Sequence, residues 1–147
     1  MNNLVTSLRI LLASNFVLYL KTHMCHWNVT GPCFFELHKL FEDQYTNLWD
    51  NVDTIAEKIK QLDGDVSLSP QDQMTFSVIV CDPTVKGAEG FVRMLYNDHN
   101  KMLILLNKVF LSAQEENNQA IMNYIAERLD YHAKMRWFLR ATIDRTI

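Results

Sequence analysis

Between Cys33 and Gly64 the chain carries neither glycine nor proline, and its apolar residues recur at steps of three and four. Phe34, Leu37, Phe41, Tyr45, Leu48, Val52, Ile55 and Ile59 therefore form one stripe of a long helix, and that stripe faces a core. A second stripe runs beside it. His38, Glu42, Trp49, Asp53 and Glu57 fall within an arc of about 100°, and imidazoles with carboxylates suit iron, manganese or zinc. A single helix cannot close such a site. His38 and Asp53 stand fifteen residues apart, about 22 Å along a straight helix, whereas metal–ligand bonds measure about 2 Å. Two antiparallel copies remove the difficulty. His38 and Glu57 are equidistant from a midpoint near residues 47 and 48, and so are Glu42 and Asp53. A two-fold axis there sets His38 against the partner's Glu57 and Glu42 against the partner's Asp53, with Trp49 near the axis and two identical sites per dimer. The plainer alternative makes His38/Glu42 and Asp53/Glu57 solvated i,i+4 pairs on an exposed face.

The 147 residues suit one domain with a real core. A net charge of −3 argues against a general nucleic-acid binder, which would be basic. Cys25, Cys33 and Cys81 are odd in number and lack a C-x-x-C spacing, so neither a disulfide framework nor a zinc knuckle is indicated. A reducing cytoplasm fits, with the thiols as small buried hydrophobes. The apolar run around residues 9–21 resembles a signal segment. Only Arg9 supplies charge ahead of it, Asn15 interrupts it, and no A-x-A site follows. The run is also short for a bilayer, so it reads as a core helix and no membrane partner is expected. The Asn28-Val29-Thr30 sequon has no meaning without a secretory signal.

In order, the first helix runs from about Asn3 to about Asn28, with Leu4, Leu8, Leu11, Leu18 and Thr22 on one face, widened by Val5, Leu12 and Tyr19. Gly31-Pro32 ends it and opens the second, which stops near Leu62 before Gly64. The short join makes these helices antiparallel neighbours and brings His26 and Trp27 to the start of helix two, where His26 can approach His38. A connection of about twenty residues follows, far longer than usual. Within it, Ser69, Pro70 and Asp72 are placed to cap a short helix over residues 71–77. A third long helix is expected from Asp82-Pro83-Thr84 to about Ser112 through Phe91, Leu95, Met102, Leu105, Leu106 and Val109. Gly87 and Gly90 weaken its first turns. After a turn at residues 115–118, capped by Asn117 or Asn118, a fourth runs to about Asp144 through Ile121, Ile125, Leu129, Met135, Phe138 and Leu139. Two short joins around one long one predict an all-α, ferritin-like four-helix bundle whose crossover carries a short helix.

The run His26-Trp27-Asn28-Val29, then Gly31-Pro32, Phe34-Phe35-x-Leu37-His38, Phe41-Glu42 and Asp53-x-x-Ala56-Glu57 resembles the Dps mini-ferritins. The likeness is dense over about forty residues, and the helix pattern extends it to nearly the whole chain. It implies a hollow dodecamer that oxidises Fe(II), preferring hydrogen peroxide, and stores ferric mineral, with DNA binding in many members. Carried over by position, it implies metal ligation by His26, His38 and Glu42 of one subunit with Asp53 and Glu57 of the two-fold mate. Glu42 stands where many relatives have Asp. Trp27 resembles an aromatic residue beside the family's site that donates an electron. In this light the exposed repeat Glu36, Asp43 and Asp50 lines the cavity and seeds mineral, and Glu115, Glu116, Glu127 and Asp130 are pore candidates. A solvated helix surface is the other reading of both groups.

Family members that bind DNA often use a flexible basic arm. This chain begins MNNLVTSLR, almost directly in helix one, and ends without a tail, so strong DNA binding is not expected. Lys134, Arg136, Arg140 and Arg145 read as a solvated helix face. His23 reads as a helix-surface residue, and His99 and His132, mid-helix among polar neighbours, as binding no metal. An intrachain di-iron site would need Glu-x-x-His motifs, and the sequence has none. The remaining alternative is a non-catalytic helical shell, or a DNA-condensing protein, with a structural metal site.

Overall fold

The computed structural model describes residues 3–143. Five helices account for most of them: α1 (Asn3–Asn28), α2 (Phe34–Gln61), α3 (Pro70–Phe76), α4 (Gly87–Glu115) and α5 (Gln119–Ile143). The four long helices form the predicted all-α bundle, and the short helix sits in the long crossover, packed on α1. Cross-helix contacts fix the directions. Asn15 Nδ2 donates to the Leu48 carbonyl at 2.8 Å, and His26 meets His38. Residue numbers rise on α1 as they fall on α2, so the pair is antiparallel. The same holds for α1 and α4 through Ser7–Ser112 and Lys21–Asp98, and for α2 and α5 through Asn47–Arg128 and Asn51–Tyr124. The helices α4 and α5 meet at His99 and His132.

Because every neighbour is antiparallel, the crossover must run the length of the bundle. Two residues tie it down. The Ser14 hydroxyl accepts the Val78 N–H at 3.0 Å, and Lys21 Nζ reaches the Val80 carbonyl at 2.6 Å. Lys21 also lies 2.6 Å from Asp98, and both side chains are almost fully buried. Burial raises the Asp98 carboxyl above its usual range, and the hydrogen bond and charge of Lys21 oppose that rise.

The most enclosed helix is α1. Leu4, Leu8, Leu11 and Leu18 are in the core as expected, and so are Ala13, Ser14, Asn15, Val17 and Lys21. By length and composition this 26-residue helix is apolar enough to cross a bilayer. It is burial inside the bundle, not shortness, that identifies it as a core helix. On α2, Leu37, Phe41, Leu48, Ile55 and Ile59 hold the predicted face, but Phe34 is exposed and Gln44 is fully buried. Cys25 is buried, with its thiol pushed up to about 12 mainly by desolvation; Cys33 is half-buried and Cys81 exposed, so only the first behaves as the buried hydrophobe expected of all three.

Helix ends follow local chemistry. Asp63 takes a left-handed φ of 59°, Asp63 N–H bonds Lys60 C=O and Gly64 N–H bonds Ile59 C=O, which together close α2. Asn117 (φ 54°) closes α4 in the same way, and Asn118 Oδ1 then accepts the Ile121 N–H at 3.1 Å to cap α5. Ser69 caps α3 through the Asp72 N–H, with Pro70 in the first turn. The start of α4 differs from expectation. Asp82 spends its carboxylate on the N–H and hydroxyl of Thr84, at 2.9 and 2.6 Å, and forms a local turn. The helix begins five residues later at Gly87, whose φ is 81°, and runs three residues beyond Ser112. Asp144 and Arg145, named above as helix end and basic face, lie outside the described residues.

Candidate metal centre

The turn between α1 and α2 builds one half of a site. Val29 N–H still bonds the Cys25 carbonyl, Gly31 turns the chain at φ 108°, and Phe34 N–H bonds the Gly31 carbonyl. The last turn of α1 is thereby folded onto the first turns of α2. His26 Nδ1 lies 2.8 Å from the His38 carbonyl, and His38 Nδ1 lies 2.9 Å from the His26 carbonyl. A carbonyl oxygen only accepts, so both Nδ1 atoms carry a proton, and Nε2 is the nitrogen each ring has left for a metal. Fixing a histidine's tautomer through its other nitrogen to a carbonyl is how metal-ligating imidazoles are commonly held. The two rings stack with centroids 3.7 Å apart and 18° between planes, and Phe34 covers His38 at 4.9 Å. His26 is nearly buried.

Glu42, one turn beyond His38, is half-exposed, and its carboxylate is 3.9 Å from Lys39 Nζ. Lys39 binds Asp43 more closely, at 3.0 Å, which leaves Glu42 available. Asp53 and Glu57 are exposed. Neither appears in a hydrogen bond or ion pair with the described residues. They lie four turns or so further along α2, and among the described residues no three metal-ligating side chains of one protomer converge. One protomer thus brings His26 and His38 together, carries Glu42 one turn further along α2, and presents Asp53 and Glu57 at another level.

Aromatic rings surround the histidine pair. Trp27, 62% exposed, lies 4.2 Å from His23, and His23 stacks on Tyr45 at 3.8 Å and 11°. His23 also bonds the Tyr19 hydroxyl at 3.0 Å, so it is wedged among rings and is not the surface residue expected. Burial, and then the charge of His26, lower its pKa. Tyr45 meets His26 edge-on at 5.2 Å, and Trp49 packs 5.1 Å from Tyr19.

The remaining predicted residues are on the surface. Glu36, Asp43 and Asp50 are exposed on α2, and Asp43 is paired with Lys39. Glu115 and Glu116 are exposed at the end of α4, where Glu116 accepts the Leu4 N–H at 3.4 Å. Glu127 and Asp130 are exposed more than two turns into α5.

A second polar cluster, in the bundle core, was not expected. His99 and His132 are fully buried with their Nδ1 atoms 2.9 Å apart, and Arg128 reaches both His132 Nε2 at 3.4 Å and Asn47 Oδ1 at 2.8 Å. The signal was in the spacing. His132 and Arg128 continue the 121, 125, 135, 139 stripe, and His99 sits between Leu95 and Met102 on that of α4.

Comparison with known proteins agrees with this fold. The family model described as a ferritin-like domain matches residues 5–146. The chain is 32% identical over 129 residues to the DNA protection during starvation protein 2 of Bacillus anthracis, covering 88% of each. It is 31% identical over 135 residues to a low temperature-induced protein of Nostoc sp., covering 90% of this chain and 75% of that one. The crystal structure of a Dps protein from Bacillus brevis superposes with a TM-score of 0.92 at 28% identity, over 96% of this chain and 95% of the other.

Proposed function

The chain belongs to the Dps family of the ferritin-like superfamily, and from that premise we propose that it is a ferroxidase taking Fe(II) as substrate at sites shared by two subunits. The observation that carries this reading is the reciprocal clasp of His26 and His38, which spends each Nδ1 on a carbonyl and leaves each Nε2 as the nitrogen available to a metal. Glu42 adds a carboxylate from the same subunit, and Asp53 and Glu57 add two more from the two-fold mate. Neutral imidazoles bind Fe(II), and anionic carboxylates compensate the added charge of Fe(III), so the set favours oxidation. Two Fe(II), one hydrogen peroxide and two protons give two Fe(III) and two water molecules. Oxygen is the slower oxidant in this reading. Trp27 is an electron donor beside the site.

The single domain assembles into a hollow cytoplasmic dodecamer with Glu36, Asp43 and Asp50 on the mineral-seeding inner surface. Glu115, Glu116, Glu127 and Asp130 line its iron entry. The net charge of −3 supports only weak DNA binding, and a mobility shift at near-physiological salt showing tight binding would overturn that part.

The test is anaerobic Fe(II) mixed with peroxide, followed by ferric absorbance. About two Fe(II) per site oxidise rapidly, and His26→Ala with His38→Ala lowers the rate by on the order of 10–100-fold. An unchanged rate in that variant refutes the assignment.

A further inference from the structure

We propose that Lys39 is the counter-ion of the proposed ligand Glu42: held by Asp43, its ammonium offsets the Glu42 charge when no metal is bound and weakens the hold of Glu42 on the ion it takes. The inference rests on the ferroxidase reading and deepens it, because Lys39 sets how tightly the site loads without ligating metal.

His38, Lys39, Glu42 and Asp43 lie within two turns of α2. Lys39 Nζ is 3.0 Å from Asp43 Oδ1 and 3.9 Å from Glu42 Oε2. Among the described residues the Glu42 carboxylate has no other ion pair or hydrogen bond. Helix chemistry does not call for a lysine here. Lys39 is in the second turn of α2, toward the end whose dipole favours anions. Its i,i+4 pair with Asp43 places the cation ahead of the acid, the weaker order for a helix.

The carboxylates do call for one. The proposed pairing sets Glu42 against the partner's Asp53 and His38 against the partner's Glu57, so three carboxylates gather at one site. Their mutual repulsion opposes closure of the metal-free dimer, and the Lys39 ammonium relieves it. A divalent ion on Glu42 reverses the sign. The ammonium then repels the ion, and a unit charge a few ångströms away in a solvated setting costs about three- to tenfold in affinity. Asp43 limits that cost, because its closer bond keeps the ammonium from closing on Glu42.

The experiment is calorimetric titration of the metal-free full-length protein with Zn(II), which takes the same ligand types and has no redox chemistry. The side chains of Lys39 and Asp43 are 61% and 62% exposed, so their variants keep the core. At low salt Lys39→Met should bind Zn(II) about three- to tenfold more tightly than the wild type, and Lys39→Arg within about twofold of it. At about 1 M salt, where the Debye length is about 3 Å, the gain in Lys39→Met should shrink. Asp43→Asn frees the lysine to close on Glu42 and weakens binding, and it does so less in the Lys39→Met background. With the site lost in His26→Ala/His38→Ala, equal or weaker binding by Lys39→Met at low salt, or a gain that survives at high salt, overturns this inference alone. Zn(II) binding undiminished in His26→Ala/His38→Ala overturns the metal-site reading with it.

Discussion

His132 Nε2 faces the Arg128 guanidinium, which only donates, so the His132 proton sits on Nδ1 and is directed at His99 Nδ1. Both imidazoles are therefore neutral in the fold. Burial, with the charge of Arg128, pushes His99 down to about 3, and burial with the charges of His99 and Arg128 holds His132 well below its ordinary value. In the unfolded chain both titrate near 6.5. Between those limits the unfolded state binds more protons, so stability is full above about pH 6.5 and declines as pH falls toward 3, by about 1.4 kcal/mol per pH unit for each extra proton. Urea midpoints measured from pH 7 to pH 4 should fall, and the His99→Gln/His132→Gln variant should show a shallower slope; an equal slope contradicts the assignment. The Lys21–Asp98 pair makes a second prediction at this scale. Lys21→Met leaves Asp98 buried without its cation, which costs about 3–5 kcal/mol. Denaturant unfolding of this variant near the wild-type midpoint would show that Asp98 finds another partner.

Among the elements, the joins are the sensitive points. A Cβ on Gly64 would stand 2.8 Å from Val5 Cγ1 and 3.0 Å from Ile59 Cγ2, where α2 closes against α1. Gly64→Ala should destabilise by about 1–3 kcal/mol through overpacking, read as a lower denaturation midpoint. Asn118→Ala should cost about 1 kcal/mol by removing the α5 cap. The stripes of α1, α2, α4 and α5, the crossover and the capped α3 were legible because period and cap chemistry are local. The start of α4 was not. Asp82-Pro83-Thr84 looks like a helix opening, but its carboxylate satisfies Thr84 instead of a helix N–H. His99, Arg128 and His132 keep the core spacing, but their polarity gave no sign of their burial. Of the candidate site, the types and spacing of His26, His38 and Glu42 were legible. The mutual Nδ1-to-carbonyl clasp depends on the Gly31 turn and was not, nor was the packing of His23 between Tyr19 and Tyr45.

At the scale of the whole molecule, the proposed site needs two chains. One protomer brings His26 and His38 together but leaves Asp53 about 22 Å and Glu57 about 28 Å along the helix from His38. Scattering of the purified protein should show an oligomer built from two-fold dimers, and a monomer would remove the basis of the shared site. The most direct test is complementation. One variant carries His26→Ala and His38→Ala, the other Asp53→Ala and Glu57→Ala, and each alone is expected to keep no more than about a tenth of the wild-type rate of peroxide-driven Fe(II) oxidation. When the two are dissociated together and reassembled at random, half of the dimers are mixed and each has one intact site. The account predicts recovery of about a quarter of the wild-type rate. Reassembled mixtures no more active than either parent would contradict it.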